Sequence, residues 1–167
     1  VNSAISNSVQ QSLNSGASVS NAVSTSVNSA ISNGADANAS ISTAVSTAIQ
    51  NGSDVSQTVT ASIDSAISAG VNSSQAINTA VSSAVSSGAD VNQVINSAGS
   101  NTNLAINNAV SAAIGAGANV NSAVTSAVTT AINGGANANT SVAAAVNSAI
   151  TSGVNSTTAI NAAVQAA

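Results

Sequence analysis

The sequence predicts an all-α solenoid of about ten short antiparallel helices in 18-residue repeats. Three observations predict it. Glycine recurs every 18 residues at Gly16, Gly34, Gly52, Gly70 and Gly88; after a jump of 11 to Gly99 it resumes at Gly117, Gly135 and Gly153. Between glycines, Val and Ile recur every fourth residue with Ala beside them. Two residues after a glycine stands a short side chain that carries an oxygen. Repetition at a fixed period marks units that bury their apolar faces only against one another.

The apolar stripe makes each unit a helix. Counting from the residue after glycine, positions 3, 7, 11 and 15 are mostly Val or Ile, and positions 6, 10 and 14 are mostly Ala. The stretch ISTAVSTAIQ, with Ile41, Val45 and Ile49 flanked by Ala44 and Ala48, shows the pattern. Spacings of three and four put these side chains on one helical face. Strand alternation would place Ala44 and Val45 on opposite faces. It would also need an apolar position 5, where Gln57, Gln75 and Gln93 stand. In a helix the small Ala lets a neighbouring helix approach closely.

Each start and stop is marked in turn. Position 2 is Asp36, Asp54, Asn72, Asp90, Asn101, Asn119, Asn137 and Asn155, with Ser18 in the first full repeat. Such side chains before an apolar stripe are helix N-caps, accepting hydrogen bonds from amides that lack an intrahelical partner. Three of the four aspartates thereby sit where the helix dipole favours negative charge. The nine glycines of the 18-residue series, Gly99 among them, fit the left-handed position that caps the preceding helix at its C-terminus. GAD and GAN therefore read as helix stop, one linker residue, helix start.

A continuous rod would also keep its apolar face in phase, since 18 residues make five turns. A glycine and a cap residue in every repeat would weaken such a rod. Helices of about 13 residues joined by tight turns fit better, each pair forming a 36-residue unit that stacks into a solenoid. The alternative is a β-solenoid with 18 residues per coil, which the β-branched residues and possible Asn ladders would suit. The missing two-residue period counts against it.

The organisation expected is a helical array over residues 1–88, a shortened repeat or junction over 89–99, and a second array over 100–167. The helix begun at Val91 should end near Ala98. Eleven residues make about three turns, so the shortening preserves facing. No polar capping helix marks either end, so the chain is expected to be a fragment or to bury its ends head-to-tail against other copies.

Composition excludes more than it selects. The chain has no Lys, Arg, His, Glu, Cys, Met, Pro or aromatic residue, and its net charge is −4. Phosphate neutralisation needs basic residues and base stacking needs aromatic ones, so no nucleic-acid partner is expected. No apolar run reaches membrane-spanning length, so no membrane insertion is expected. Disorder, the usual reading of Ser- and Asn-rich chains, conflicts with 44% hydrophobic residues at regular spacing.

The search for chemistry ends quickly. Nucleophilic use of Ser or Thr needs an activating base, and none is present. Acid–base work would fall to Asp36, Asp54, Asp64 and Asp90, which the zigzag of helices keeps apart. Only calcium among metals suits oxygen ligands alone. GADANAS supplies Asp36 and Asn38 but not the rest of a calcium loop. No catalytic, cofactor-binding or metal-ligating residue is therefore expected. Sequons occur at Asn38, Asn51, Asn72, Asn139 and Asn155, all near turns.

GADVN at 88–92, GANVN at 117–121 and GANAN at 135–139 resemble the helix-to-turn segment of ankyrin repeats, though neither that family's period nor its T-P-L-H start is present. In composition the chain is similar to repetitive silk-like structural proteins and to Ala/Thr-rich antifreeze proteins, both secreted. The silk-like resemblance implies an extracellular structural role. The antifreeze resemblance implies a regular surface array of Thr, whereas position 9 reads Thr25, Thr43, Ala61, Thr79, Ser97, Asn108 and Ser126. The leading expectation is a secreted, non-enzymatic structural protein whose partners are other copies of itself. Ice binding through a neutral Ser/Thr/Asn/Ala face is the alternative.

Overall fold

The computed structural model describes residues 1–98, 103–133 and 137–166. Its elements are α1 (Asn2–Asn14), α2 (Val19–Ser32), α3 (Ala37–Gln50), α4 (Val55–Ser68), α5 (Ser73–Ser86), α6 (Val91–Ser97), α7 (Asn103–Gly115), α8 (Val120–Asn133), α9 (Ala138–Thr151) and α10 (Ser156–Ala166). No strand occurs among the described residues. Most helices run 14 residues, because a cap at position 2 and a second at position 17 leave positions 3–16 to the helix.

The turns follow one scheme. At the end of α2, Gly34 N–H donates to Ile31 C=O at 2.9 Å and Ala35 N–H donates to Ala30 C=O at 3.0 Å. This crossed pair is the Schellman arrangement, and it requires a left-handed residue at the glycine. Gly34 has φ +83°, and a Cβ built there would meet nothing within 4 Å. Gly34→Ala is therefore expected to destabilise through backbone strain alone, by about 1–2 kcal/mol. Urea denaturation checks this; an unchanged midpoint would show that the turn can rearrange.

The helices form two layers. Every helix packs against the next and, in most cases more extensively, against the one two along, so the odd-numbered helices stack in one layer and the even-numbered in another. The protein is an all-α solenoid. Its core is a continuous ribbon between and within the layers, built from Val and Ile at positions 7 and 11 and Ala at positions 6, 10 and 14. Positions 3 and 15 lie nearer the helix ends and are mostly half-buried, as at Val19, Ile31 and Ile49. The total accessible surface is 7053 Å², close to the roughly 7,200 Å² that a compact protein of this mass exposes.

Helix α6 is the exception. It has 7 residues, ends at Ser97 and has Ala98 as its C-cap. Both layers nevertheless continue past it, since α5 packs on α7 in one and α6 on α8 in the other. Gly99, where the sequence suggests a junction, lies outside the described residues.

Candidate functional site: caps, polar stripes and two end faces

Cap chemistry accounts for three of the four carboxylates. Asp36 accepts from Ala39 N–H at 2.8 Å, Asp54 from Gln57 N–H at 2.8 Å and Asp90 from Gln93 N–H at 3.1 Å. Asn72, Asn119, Asn137 and Asn155 accept at the starts of α5, α8, α9 and α10. Ser18 does the same for α2. Gly16, Gly34, Gly52, Gly70, Gly88, Gly117 and Gly153 all have positive φ. Asn101, Gly99 and Gly135 lie outside the described residues. Asp54→Ala is expected to destabilise by about 1 kcal/mol, while Asp54→Asn should change little because other repeats cap with Asn. A thermal melt of both variants tests this; equal losses would point to the charge rather than the hydrogen bond.

The aspartates do not converge on a reaction centre. Asp54 and Asp90 start helices of the even layer, Asp36 starts one of the odd layer, and Asp64 stands exposed on α4. Among the described residues no group of three His, Cys, Asp or Glu side chains is close enough to hold a metal ion. None of the described helices is long and apolar enough to cross a membrane. Shallow depressions over α3, α5 and α7 are lined by Asn, Ser, Thr, Ala and Gly, with no titratable group.

The sequons mostly serve the fold. Asn38 Oδ1 accepts from Gln75 and Thr79, Asn51 Nδ2 donates to Thr47 C=O, and Asn72, like Asn155, is an N-cap. Asn139 stands exposed on α9.

A regular polar register joins each helix to the one two along, and nothing in the repeat pattern alone announces it. Asn38 Oδ1 receives Gln75 Nε2 at 3.0 Å and Thr79 Oγ1 at 2.9 Å, sequence separations of 37 and 41. Thr47 donates to Ser6, and Ser87 donates to Ser46, again 41 apart. The hydroxyls of Ser111 and Ser148 are 2.6 Å apart at separation 37, and Ser152 reaches Ser111 at separation 41. The even layer uses the same spacing, as Thr60 donates to Ser97 C=O and Thr125 to Ala162 C=O.

In repeat numbering, positions 4, 8 and 12 of one helix meet positions 5, 9, 13 and 17 of the helix two along. The offset is constant along the helix, so helices within a layer run parallel. Across the short repeat, Ser82 bonds Ala112 C=O at separation 30 and Thr130 bonds Asn96 at 34, each seven less than the usual value. Seven residues are two helical turns. Their loss shortens α6 and leaves both registers intact.

Two buried atoms fall outside this scheme. Asn107 Oδ1 and Asn108 Nδ2 in α7 find no protein partner. Position 9 of α9, which should serve Asn107, is Ala144 and has no polar side-chain atom.

The two ends of the array differ in a complementary way. In the middle of the solenoid the large row (positions 7 and 11) and the small row (6, 10 and 14) are both buried, as in α3 and α5. At the first end the large row is covered, with Ile5 4% and Val9 0% exposed, while Ala4 of the small row is exposed. At the last end the small row is covered at Ala159 and Ala163, while Ile160 and Val164 are 48% and 68% exposed. The large row is thus the one left open on α10 and the small row the one left open on α1, while position 10 also meets position 10 of the next helix, where Ser26 donates to Ser8 at 2.9 Å. A groove lined by Ala4, Ser8, Ser29 and Ala30 opens at the first end, and one lined by Val142, Val146, Ile160 and Val164 at the last.

Fold and faces together define a tandem-repeat α-solenoid with unlike ends. No protein-family model matches the chain, and no curated protein is significantly similar to it.

Proposed function

We propose that this chain is a secreted, non-enzymatic structural protein that self-assembles by repeat stacking into a filament or matrix. The observation that carries the reading is the constant register in which each helix packs on the one two along, since a unit that stacks on its own repeats can be continued by further copies. The near absence of charge supports the reading, since little electrostatic repulsion opposes close contact between copies. Each N-capping aspartate already has its hydrogen-bond role, which supports a protein without catalysis. The lack of Lys and Arg removes every trypsin-type cleavage site, which suits an extracellular material.

Light scattering against concentration, with electron microscopy of the same samples, tests the reading. The chain should form polymers as concentration rises. The double variant Ile160→Asn/Val164→Asn should keep its helical circular dichroism yet need roughly 10- to 100-fold higher concentration to assemble. A wild-type chain that stays monomeric at every concentration would overturn self-assembly, and a monomer that slows ice growth would favour the ice-binding alternative.

A further inference from the structure

We infer that Asn33 and Asn51 are latent self-modification sites: each is set to lose its amide by attack from the backbone of the glycine that follows, and the folded helix cap holds the reaction off until that turn opens. The inference concerns a single chain and does not depend on assembly.

Two adjacent residues supply the chemistry. Asn33 precedes Gly34 and Asn51 precedes Gly52, and all four are exposed, so water reaches them. In an open turn the glycine nitrogen, its proton lost to base, attacks Cγ of the asparagine. An N–Cγ bond forms, the Cγ–Nδ2 bond breaks, and Nδ2 takes up a proton and leaves as ammonia. Water then opens the five-membered imide at one carbonyl or the other, giving aspartate or isoaspartate. Glycine suits the step because no Cβ shields its nitrogen or restricts its backbone. Neighbours in one chain also meet at high effective concentration.

The closed turn blocks the reaction in three ways. Ring closure needs the asparagine Cβ and the glycine nitrogen on the same side of the Cα–C bond. At ψ 14° for Asn33 and 11° for Asn51, the asparagine's own backbone nitrogen takes that side instead. The attacking nitrogen is engaged as well, since Gly34 N–H donates to Ile31 C=O and Gly52 N–H to Ile49 C=O, both at 2.9 Å. The leaving group is held too: Asn33 Nδ2 donates to Ser29 C=O and Asn51 Nδ2 to Thr47 C=O, both at 2.7 Å. Rotation of ψ into the reactive range breaks the glycine hydrogen bond and releases the turn.

The product cannot restore the cap. A carboxylate has no N–H to return to the Ser29 or Thr47 carbonyl, and its charge lies at a helix C-terminus, where the dipole opposes it. Isoaspartate also adds a methylene to the main chain and shifts the crossed bonds of the turn out of step. The two sites flank α3, so modification loosens that helix at both ends. The turns after α1, α4, α5, α7 and α9 carry Ser15, Ala69, Ser87, Ala116 and Ser152 at this position and have no amide to lose. Asn133 also precedes a glycine, Gly134, which lies outside the described residues.

Incubation in mildly alkaline buffer, with mass spectrometry of elastase peptides that span each site, measures the two rates separately. Both sites should react roughly tenfold or more slowly in the folded chain than in chain unfolded by urea, because reaction waits on local opening. Asp54→Ala, which weakens the helix start beside the Asn51 turn, should speed Asn51 roughly fivefold and leave Asn33 unchanged. Equal rates in folded and unfolded chain would overturn the inference. Equal acceleration of both sites by Asp54→Ala would also overturn it, since the whole fold would then have to open. Asn51→Asp, the direct product, should lower the urea midpoint. Asn51→Ser should lower it less, because serine keeps a donor here, as Ser87 does toward Ser83 C=O at 2.7 Å. A midpoint no lower for Asn51→Asp than for Asn51→Ser would overturn the claim that the product disables the cap.

Discussion

Replacing Ile41 by alanine is expected to destabilise the fold by about 2–5 kcal/mol, the usual loss for deleting most of a fully buried aliphatic side chain. Ile41 stands at position 7 of α3, is 0% exposed, and is among the largest fully buried side chains of the protein. The surrounding core is Val, Ile and Ala on short helices, with no aromatic residue anywhere in the chain. No long side chain is at hand to swing into the vacancy, so collapse around the cavity is limited and the loss should fall toward the upper part of that range. Ile150→Ala removes the same atoms at position 15, where exposure is already 40%, and should lose less than about 1 kcal/mol. Urea denaturation of both variants gives the comparison. Similar losses would mean that the large row does not distinguish core from flank.

The opposite change tests the other half of the interlock. Ala44→Leu adds three carbons at position 10 of α3, where the alanine is 0% exposed. Small residues there let the helices of the stack approach closely, and a larger side chain must displace a neighbouring backbone or take a strained rotamer. The expected loss is about 1–3 kcal/mol, despite the gain in hydrophobicity. Ala143→Leu makes the same change on the exposed face of α9 and should leave the folding midpoint nearly unchanged. If Ala44→Leu were neutral, the spacing between helices would be adjustable rather than set by the small row.

Much of the local structure was legible in the residues. Gly34 followed by Ala35 and Asp36 marks a helix stop and a helix start by backbone chemistry alone: only a residue without Cβ adopts φ +83° at little strain, and a carboxylate two places on serves an amide that has no other partner. Ile41, Val45, Ala44 and Ala48 likewise declare one buried face through spacing. The seven-residue loss near Gly99 is visible as a break in the glycine series, and its consequence, a helix of half length in unchanged phase, follows from turns per residue.

The candidate site was barely legible. Ser46, Ser87, Ser111 and Ser152 look in the sequence like solvated surface, as do Asn38, Gln75 and Thr79. Their pairing depends on which helix lies beside which, and at what offset. The same holds for the unlike ends. Ile160 and Val164 carry the same repeat positions as the buried Val124 and Val128, so composition and spacing treat them alike. Only the end of the stack separates them.

The sequence by itself determined where helices begin and end and which face of each is apolar. Short-range physics governs those features: caps, glycine turns and helical periodicity act within one turn of the chain. The tertiary structure decided that helices within a layer run parallel and that polar side chains meet at separations of 37 and 41. Those properties arise from helix-on-helix packing between segments two repeats apart. An apolar stripe shows that a helix must be covered, and the packed neighbour decides by what and in which direction.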